Sequence, residues 1–175
     1  SSDFTPLSDM RASAGYRLLP EAPVEGQAGD VAAAVRAMRG EADRLGFDAD
    51  RIVLMGHSAG AHLAALVASD PRWLGADLAA IAGVVLLDGA GYDLAAQMAG
   101  AGPQAARLYG DAFGYDPARQ RALSPLTHAG APDAPHWLIL HVAGREESRS
   151  QSAALAQALR QGGARAETMA VPGTN

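Results

Sequence analysis

Arg51–Met55, RIVLM, is a short run of strand-forming residues that leads through Gly56-His57-Ser58-Ala59-Gly60 into Ala61–Ser69, a segment of helical character. Continuous apolar runs without alternation mark strands buried on both sides. Ile81–Leu87 and Trp137–Val142 read the same way, and Ala166–Val171 is a fourth predicted strand. Between them lie helical patterns. Val31–Leu45 follows Asp30, a candidate N-cap, and is closed by Gly46; Ser150–Gln161 is stopped by Gly162–Gly163. Strands alternating with helices predict an α/β fold, a mostly parallel sheet with helices on both faces. The remaining segments are predicted as connections. A short helical pattern spans Pro6–Ala14, Tyr16–Pro20 is extended, and Glu21–Gly29 and Asp70–Leu78 are loops. Short helices over 92–123 break at Gly100–Pro103 and Gly110–Gly114, and Ser124–Pro135 is irregular. No internal repeat or linker interrupts the 175 residues, so a single domain over 1–175 is expected.

Composition removes several function classes. The chain has no Cys, which excludes disulfides, thiolate metal sites and cysteine nucleophiles. The net charge is −5 and no basic patch stands out, so nucleic acid is not an expected partner. No apolar run reaches the length of a membrane span. The start has no signal-peptide pattern, and a cytoplasmic location is the expectation. His57 and His62 stand five apart, not at the spacing that aligns two ligands on one helix face, so no metal or cofactor is expected. Trp73 and Trp137 are candidate pocket walls, with core packing the simpler reading for Trp137 at a strand start.

The stretch Gly56–Gly60 matches G-x-S-x-G between a predicted strand and a predicted helix, the context a nucleophile elbow requires. The chain reverses there within a few residues and presents the serine at its apex. Side chains two before and two after the serine are expected to clash, hence two glycines. The helix that follows points its N-terminus at Ser58, and the Ala59 N–H is the expected oxyanion donor. A serine hydroxyl needs a base, and the base an orienting acid. In this order of elements the acid follows a later strand. Glu147 and Glu146, after the run 137–142, are the candidates, with Asp88, after 81–87, a lesser one. None of the five histidines follows Glu147: His57 and His62 adjoin the serine, and His128, His136 and His141 precede the acid.

The residues resemble the α/β-hydrolase fold, specifically the esterase group that includes hormone-sensitive-lipase-like carboxylesterases and kynurenine formamidase. The matching pieces are SSDF at 1–4, YRLLPEAP at 16–23, Asp30, RIVLMGHSAGAHLAAL at 51–66, GYDL at 91–94, SPL at 124–126 and QS at 151–152. The resemblance implies Ser58 as nucleophile and Ala59 as oxyanion donor. Glu147 stands where the family usually has an aspartate. The family's Pro-Gly segment and catalytic histidine match Val171–Asn175 up to the histidine, which is expected directly after Asn175. A His-Gly-Gly oxyanion segment precedes the position of SSDF in the family, and an apolar strand precedes YRL. The pattern therefore predicts further chain before residue 1, near 14–16, near 148–150 and after 175. The implied function is cleavage of small carboxylic esters by a serine hydrolase. The alternatives are an arylformamidase acting on N-formylkynurenine and a non-catalytic binding protein on a hydrolase scaffold. A small-molecule ester or amide is the expected partner. No arginine forms an evident carboxylate clamp, which favours a neutral, short acyl group.

Overall fold

The computed structural model describes residues 16–130 and 132–173. Each of the four predicted strands forms: β1 (Ile52–His57), β2 (Ile81–Leu87), β3 (His136–Val142) and β4 (Arg165–Val171). They form one sheet in the order β1-β2-β3-β4, and each pair is parallel. Parallel neighbours need crossover connections, and the helices occupy them. The helices are α1 (Val24–Gly40), α2 (Ala42–Leu45), α3 (Ala59–Ser69), α4 (Pro71–Leu74), α5 (Leu94–Gly100), α6 (Pro103–Phe113), α7 (Pro117–Ala122), α8 (Pro125–His128) and α9 (Glu146–Gln161). A 3-10 turn spans Gly75–Ala80.

The register sorts the strand side chains into two faces. Leu54, Val84, Trp137 and Ala166 stand in one lateral row, and Gly56, Leu86, Ile139 and Thr168 in the next. Val84, Leu86, Trp137, Ile139 and Ala166 of these rows are buried core. α3 packs on β1 and β2, and α9 on β3 and β4, while α1 lies against α3. α9 buries Ser148, Gln151, Ser152, Leu155, Ala156 and Leu159, one stripe at helical spacing. α3 is buried from Ala61 to Ser69, as expected of a helix held between a sheet and a second helix. The opposite face of the sheet carries Met55, Val85 and Leu138 in one row and Leu87, Leu140 and Met169 in the next. These residues are half-buried or exposed.

Several local expectations shift. The first helix begins at Val24, not after Asp30. Asp30 lies inside it and accepts three bonds from Arg17, from the backbone N–H at 2.9 Å, Nε at 3.0 Å and Nη2 at 2.9 Å. Gly26 and Gly29 made residues 21–29 read as a loop, yet Pro23 supplies an extended entry and tertiary packing overrides the glycine cost. β1 is an edge among the described residues, with Val53 57% and Met55 43% exposed, so it is not the fully buried strand its composition suggested. The loop predicted over Asp70–Leu78 contains α4 and the 3-10 turn, with Asp70 capping α4 by accepting from the Arg72 N–H. α6 runs through Gly110 without a break. SSDF, the pattern around Pro6–Ala14 and the pair Thr174–Asn175 lie outside the described residues.

Candidate active site

β1 ends at His57 and α3 begins at Ala59, so Ser58 makes the turn between them. Its backbone sits at φ 53°, ψ −119°. Among the described residues only Asp88 shares a positive φ without being glycine. Such a conformation costs energy and persists only when the surroundings impose it. Here they do. The Ser58 N–H donates to the Leu87 carbonyl at 3.0 Å, and the Ser58 carbonyl accepts from the N–H groups of Ala61 at 3.0 Å and His62 at 3.2 Å. The side chain makes no capping bond and stays exposed. Ala59 opens α3, so its N–H has no intrahelical acceptor and stands at the positive end of the helix.

The flanking glycines are not equivalent. A Cβ on Gly56 would overlap the Gly60 carbonyl and come within 2.7 Å of the Ala61 nitrogen. A Cβ on Gly60 would meet nothing within 4 Å. The close approach is thus of the Gly60 backbone onto Gly56, and it needs one glycine rather than two.

The candidate acids follow β3. They stand in the first turn of α9, with Arg145 as N-cap, rather than in a loop. Acidic side chains suit that end of a helix. Glu146 is committed to Arg149, whose Nε donates to it at 2.9 Å; that bond holds the Glu146 carboxyl below its ordinary range. Glu147 is exposed. Its charge reaches Tyr109 of α6, where burial first and Glu147 second raise the phenol above its ordinary pKa. β1 and β3 flank β2, which separates Ser58 from the residue after β3 by two inter-strand spacings, about 10 Å.

Asp88, the lesser candidate, is occupied. Its Oδ1 accepts the Val142 N–H at 3.1 Å and its Oδ2 accepts the Arg145 guanidinium. Burial works against its ionisation. The Val142 N–H, the Ser148 hydroxyl and Arg145 outweigh that and hold the carboxyl below its usual range.

His62, His128, His136 and His141 do not converge on Ser58. His62 lies behind the turn, 4% exposed; its Nδ1 bonds the Gly91 carbonyl at 3.0 Å and its ring meets Phe113 edge-on at 5.0 Å. Desolvation lowers its pKa to about 4 despite the Gly91 bond. A depressed folded-state pKa contributes stability that is present above the unfolded value and lost as pH falls toward the folded one. Stability is therefore expected to fall between about pH 6.5 and pH 4 by on the order of 3 kcal/mol from this residue. Urea unfolding at pH 7, 5.5 and 4.5 checks it, with His62→Gln flattening the dependence. His128 lies at the far end of α3, its Nε2 3.7 Å from Asp70. α3 is 11 residues long, which puts about 16 Å between that pair and the turn. His136 begins β3 at the same far end, and His141 is buried on the core face. Trp137 is core, donating Nε1 to the Ala134 carbonyl at 2.7 Å, and Trp73 lies in α4; neither lines the turn.

Three separated sequence pieces meet beside the turn. In GYDL, the Gly91 N–H donates to Gln97 Oε1 at 3.0 Å, Tyr92 is fully buried, and Asp93 caps α5 by accepting from the Ala96 N–H at 3.1 Å. Ser124 of SPL accepts the Leu94 N–H at 3.0 Å. Gln151 of QS clamps Asp93, accepting its N–H at 2.7 Å and donating to its carbonyl at 3.2 Å. Gln97, Tyr109 and Phe113 complete this wall, with Tyr109 stacked on Phe113 at 6.1 Å. Sequence reading missed them, because no spacing ties α5 and α6 to α3; the contact with Gly91 and His62 is purely tertiary.

A model of the α/β-hydrolase fold matches residues 10–175. Among solved structures, esterase B of Lactobacillus rhamnosis in an inhibited form is 26% identical, with a TM-score of 0.71 over 90% of this chain and 53% of that one. A thermophilic, thermostable carboxylesterase cloned from a metagenomic library is also 26% identical, with a TM-score of 0.71 over 91% of this chain and 57% of that one. Esterase 2 of Thermogutta terrifontis, phosphonylated by sarin, shares 24% identity and the fold, with a TM-score of 0.70 over 91% of this chain and 60% of that one. The chain thus spans little more than half the length of these structures. No curated protein matches it. The strand–Ser58–helix turn, the parallel sheet and the family match agree with the resemblance read from GHSAGAHLA, and the chain belongs to the α/β-hydrolase fold family.

Proposed function

We propose that the protein hydrolyses small carboxylic esters through an acyl-enzyme on Ser58. The observation that carries this reading is the Ser58 backbone at φ 53°, ψ −119°, which leaves an exposed hydroxyl at the N-terminus of α3. The two 26%-identical neighbours, an esterase and a carboxylesterase, support the substrate class. Ser58 Oγ attacks the ester carbonyl as its proton passes to a histidine base. The Ala59 N–H, free at the helix start, faces the developing oxyanion. Collapse breaks the bond to the alcohol, which takes the proton from the histidine. Water then enters by the same route and releases the acid. Glu147 orients the histidine and stabilises its charged form. Glu146 is tied to Arg149 and Asp88 to Arg145, which leaves Glu147 for this role. Glu147→Gln is expected to lower kcat by about 1,000-fold or more with little change in KM; steady-state kinetics with an aryl acetate check it.

The formamide reading uses the same serine and turn. Side-by-side assays of an aryl acetate and N-formylkynurenine separate them, and rapid ester cleavage beside only trace formamide turnover is the expected outcome. Equal or faster formamide turnover would favour the amidase.

A further inference from the structure

We propose that Asp88 is a positioning residue that fixes the turn carrying Glu147 against the strand end carrying Ser58; this rests on the hydrolase reading above. Three observations carry it. First, Leu87-Asp88-Gly89 stands between the two halves of the site and bonds both. The Leu87 carbonyl holds the Ser58 N–H at 3.0 Å, and on the other side the Asp88 N–H donates to the Leu140 carbonyl at 2.8 Å.

Second, the residues on either side of the Glu146–Glu147 pair are both anchored there. Arg145 donates its guanidinium to Asp88 Oδ2, and the fully buried Ser148 donates its hydroxyl to the Gly89 carbonyl at 2.9 Å. Asp88 Oδ1 meanwhile takes the Val142 N–H at 3.1 Å, at the start of the same turn. Glu147 is thus bracketed, and its backbone position follows from these anchors.

Third, Asp88 is held at φ 46°, in the left-handed region that few side chains besides Asn and Asp adopt. Its neighbour Gly89 is packed too closely for any side chain, since a Cβ would overlap the Tyr92 hydroxyl and come within 2.7 Å of Ala61 Cβ. Ala61 belongs to the first turn of α3, so the packing ties Asp88–Gly89 to the Ser58 turn as well. The charged and titratable groups facing Asp88 are Arg145 and the buried Tyr92, whose pKa is raised by burial first and by Asp88 second. Both Asp88 oxygens are engaged, which suits a clamp and not an acid paired to the base.

The test is a double-mutant cycle in the intact protein, using Asp88→Asn, Arg145→Gln and Glu147→Gln with an aryl acetate. Asp88→Asn is expected to lower kcat by about 10- to 100-fold, the cost of a small displacement of a catalytic group, with KM little changed. In the Glu147→Gln background the same substitution is expected to have no further effect, because its influence passes through Glu147. Arg145 is 45% exposed, so Arg145→Gln tests the clamp without disturbing the core. It is expected to move the acid limb of the kcat/KM profile to lower pH, as Asp88→Asn does. A purely electrostatic influence would move the two variants in opposite directions. Additive losses, or opposite shifts, would overturn the clamp. Retained hydrolysis by Ser58→Ala would instead overturn the hydrolase reading, so the two failures are distinguishable.

Discussion

Ser58→Ala is expected to lower kcat/KM for an aryl acetate by about 10,000-fold or more while leaving the thermal midpoint nearly unchanged. The two halves of this expectation have separate causes. The Ser58 side chain makes no capping bond and is exposed, so removing its oxygen costs the fold little. Its backbone is gripped by Leu87 on one side and by Ala61 and His62 on the other, so alanine inherits the same strained φ. Ser58→Gly adds a control. It is expected to be equally inactive yet more stable by about 1 kcal/mol, because glycine adopts positive φ without penalty. A variant that lost activity only together with its fold would point to a structural serine. Kinetics and thermal unfolding on the same preparations separate the cases.

Gly56→Ala is expected to destabilise the protein by about 3 kcal/mol or more. The added methyl meets backbone, the Gly60 carbonyl and the Ala61 nitrogen, not a side chain that could swing away. Relief requires moving the first turn of α3, and with it Ser58 and the Ala59 N–H. The surviving folded fraction is therefore expected to lose activity too. Gly60→Ala makes the contrast. Its methyl would enter open space, and alanine favours a helix over glycine, so a change within about 1 kcal/mol of wild type, on the stabilising side, is expected. Urea unfolding of both variants checks the pair, and equal destabilisation would contradict the assignment of the close approach to Gly56.

The first three strands were legible because they are nearly uninterrupted apolar runs, whereas β4 carries Glu167 and Thr168. Ile81–Leu87 matches residue for residue, and the other three match to within two residues at either end. The turn at Ser58 was legible for a chemical reason, since a strand, G-x-S-x-G and a helix combine only where the backbone reverses sharply. Helix starts were harder. Glycines at 26 and 29 hid the first turns of α1, and an acidic pair at the start of α9 read as loop when it suits a helix N-terminus. Asp88 was legible as a carboxylate after a strand but not as a clamp, because Val142 and Arg145 lie 54 and 57 residues away in sequence. The meeting of GYDL, SPL and QS was likewise invisible to local reading. Gln151 reaches Asp93 across 58 residues, and only the juxtaposition of β2 and β3 brings them together.

An activated Ser58 hydroxyl is open to covalent capture. Treating the intact protein with a fluorophosphonate and mapping the adduct by peptide mass tests it most directly. One adduct is expected, on Ser58, absent from Ser58→Ala and strongly slowed in Glu147→Gln. No adduct, or an adduct on another serine that persists in Ser58→Ala, would contradict it and leave a binding protein on a hydrolase scaffold.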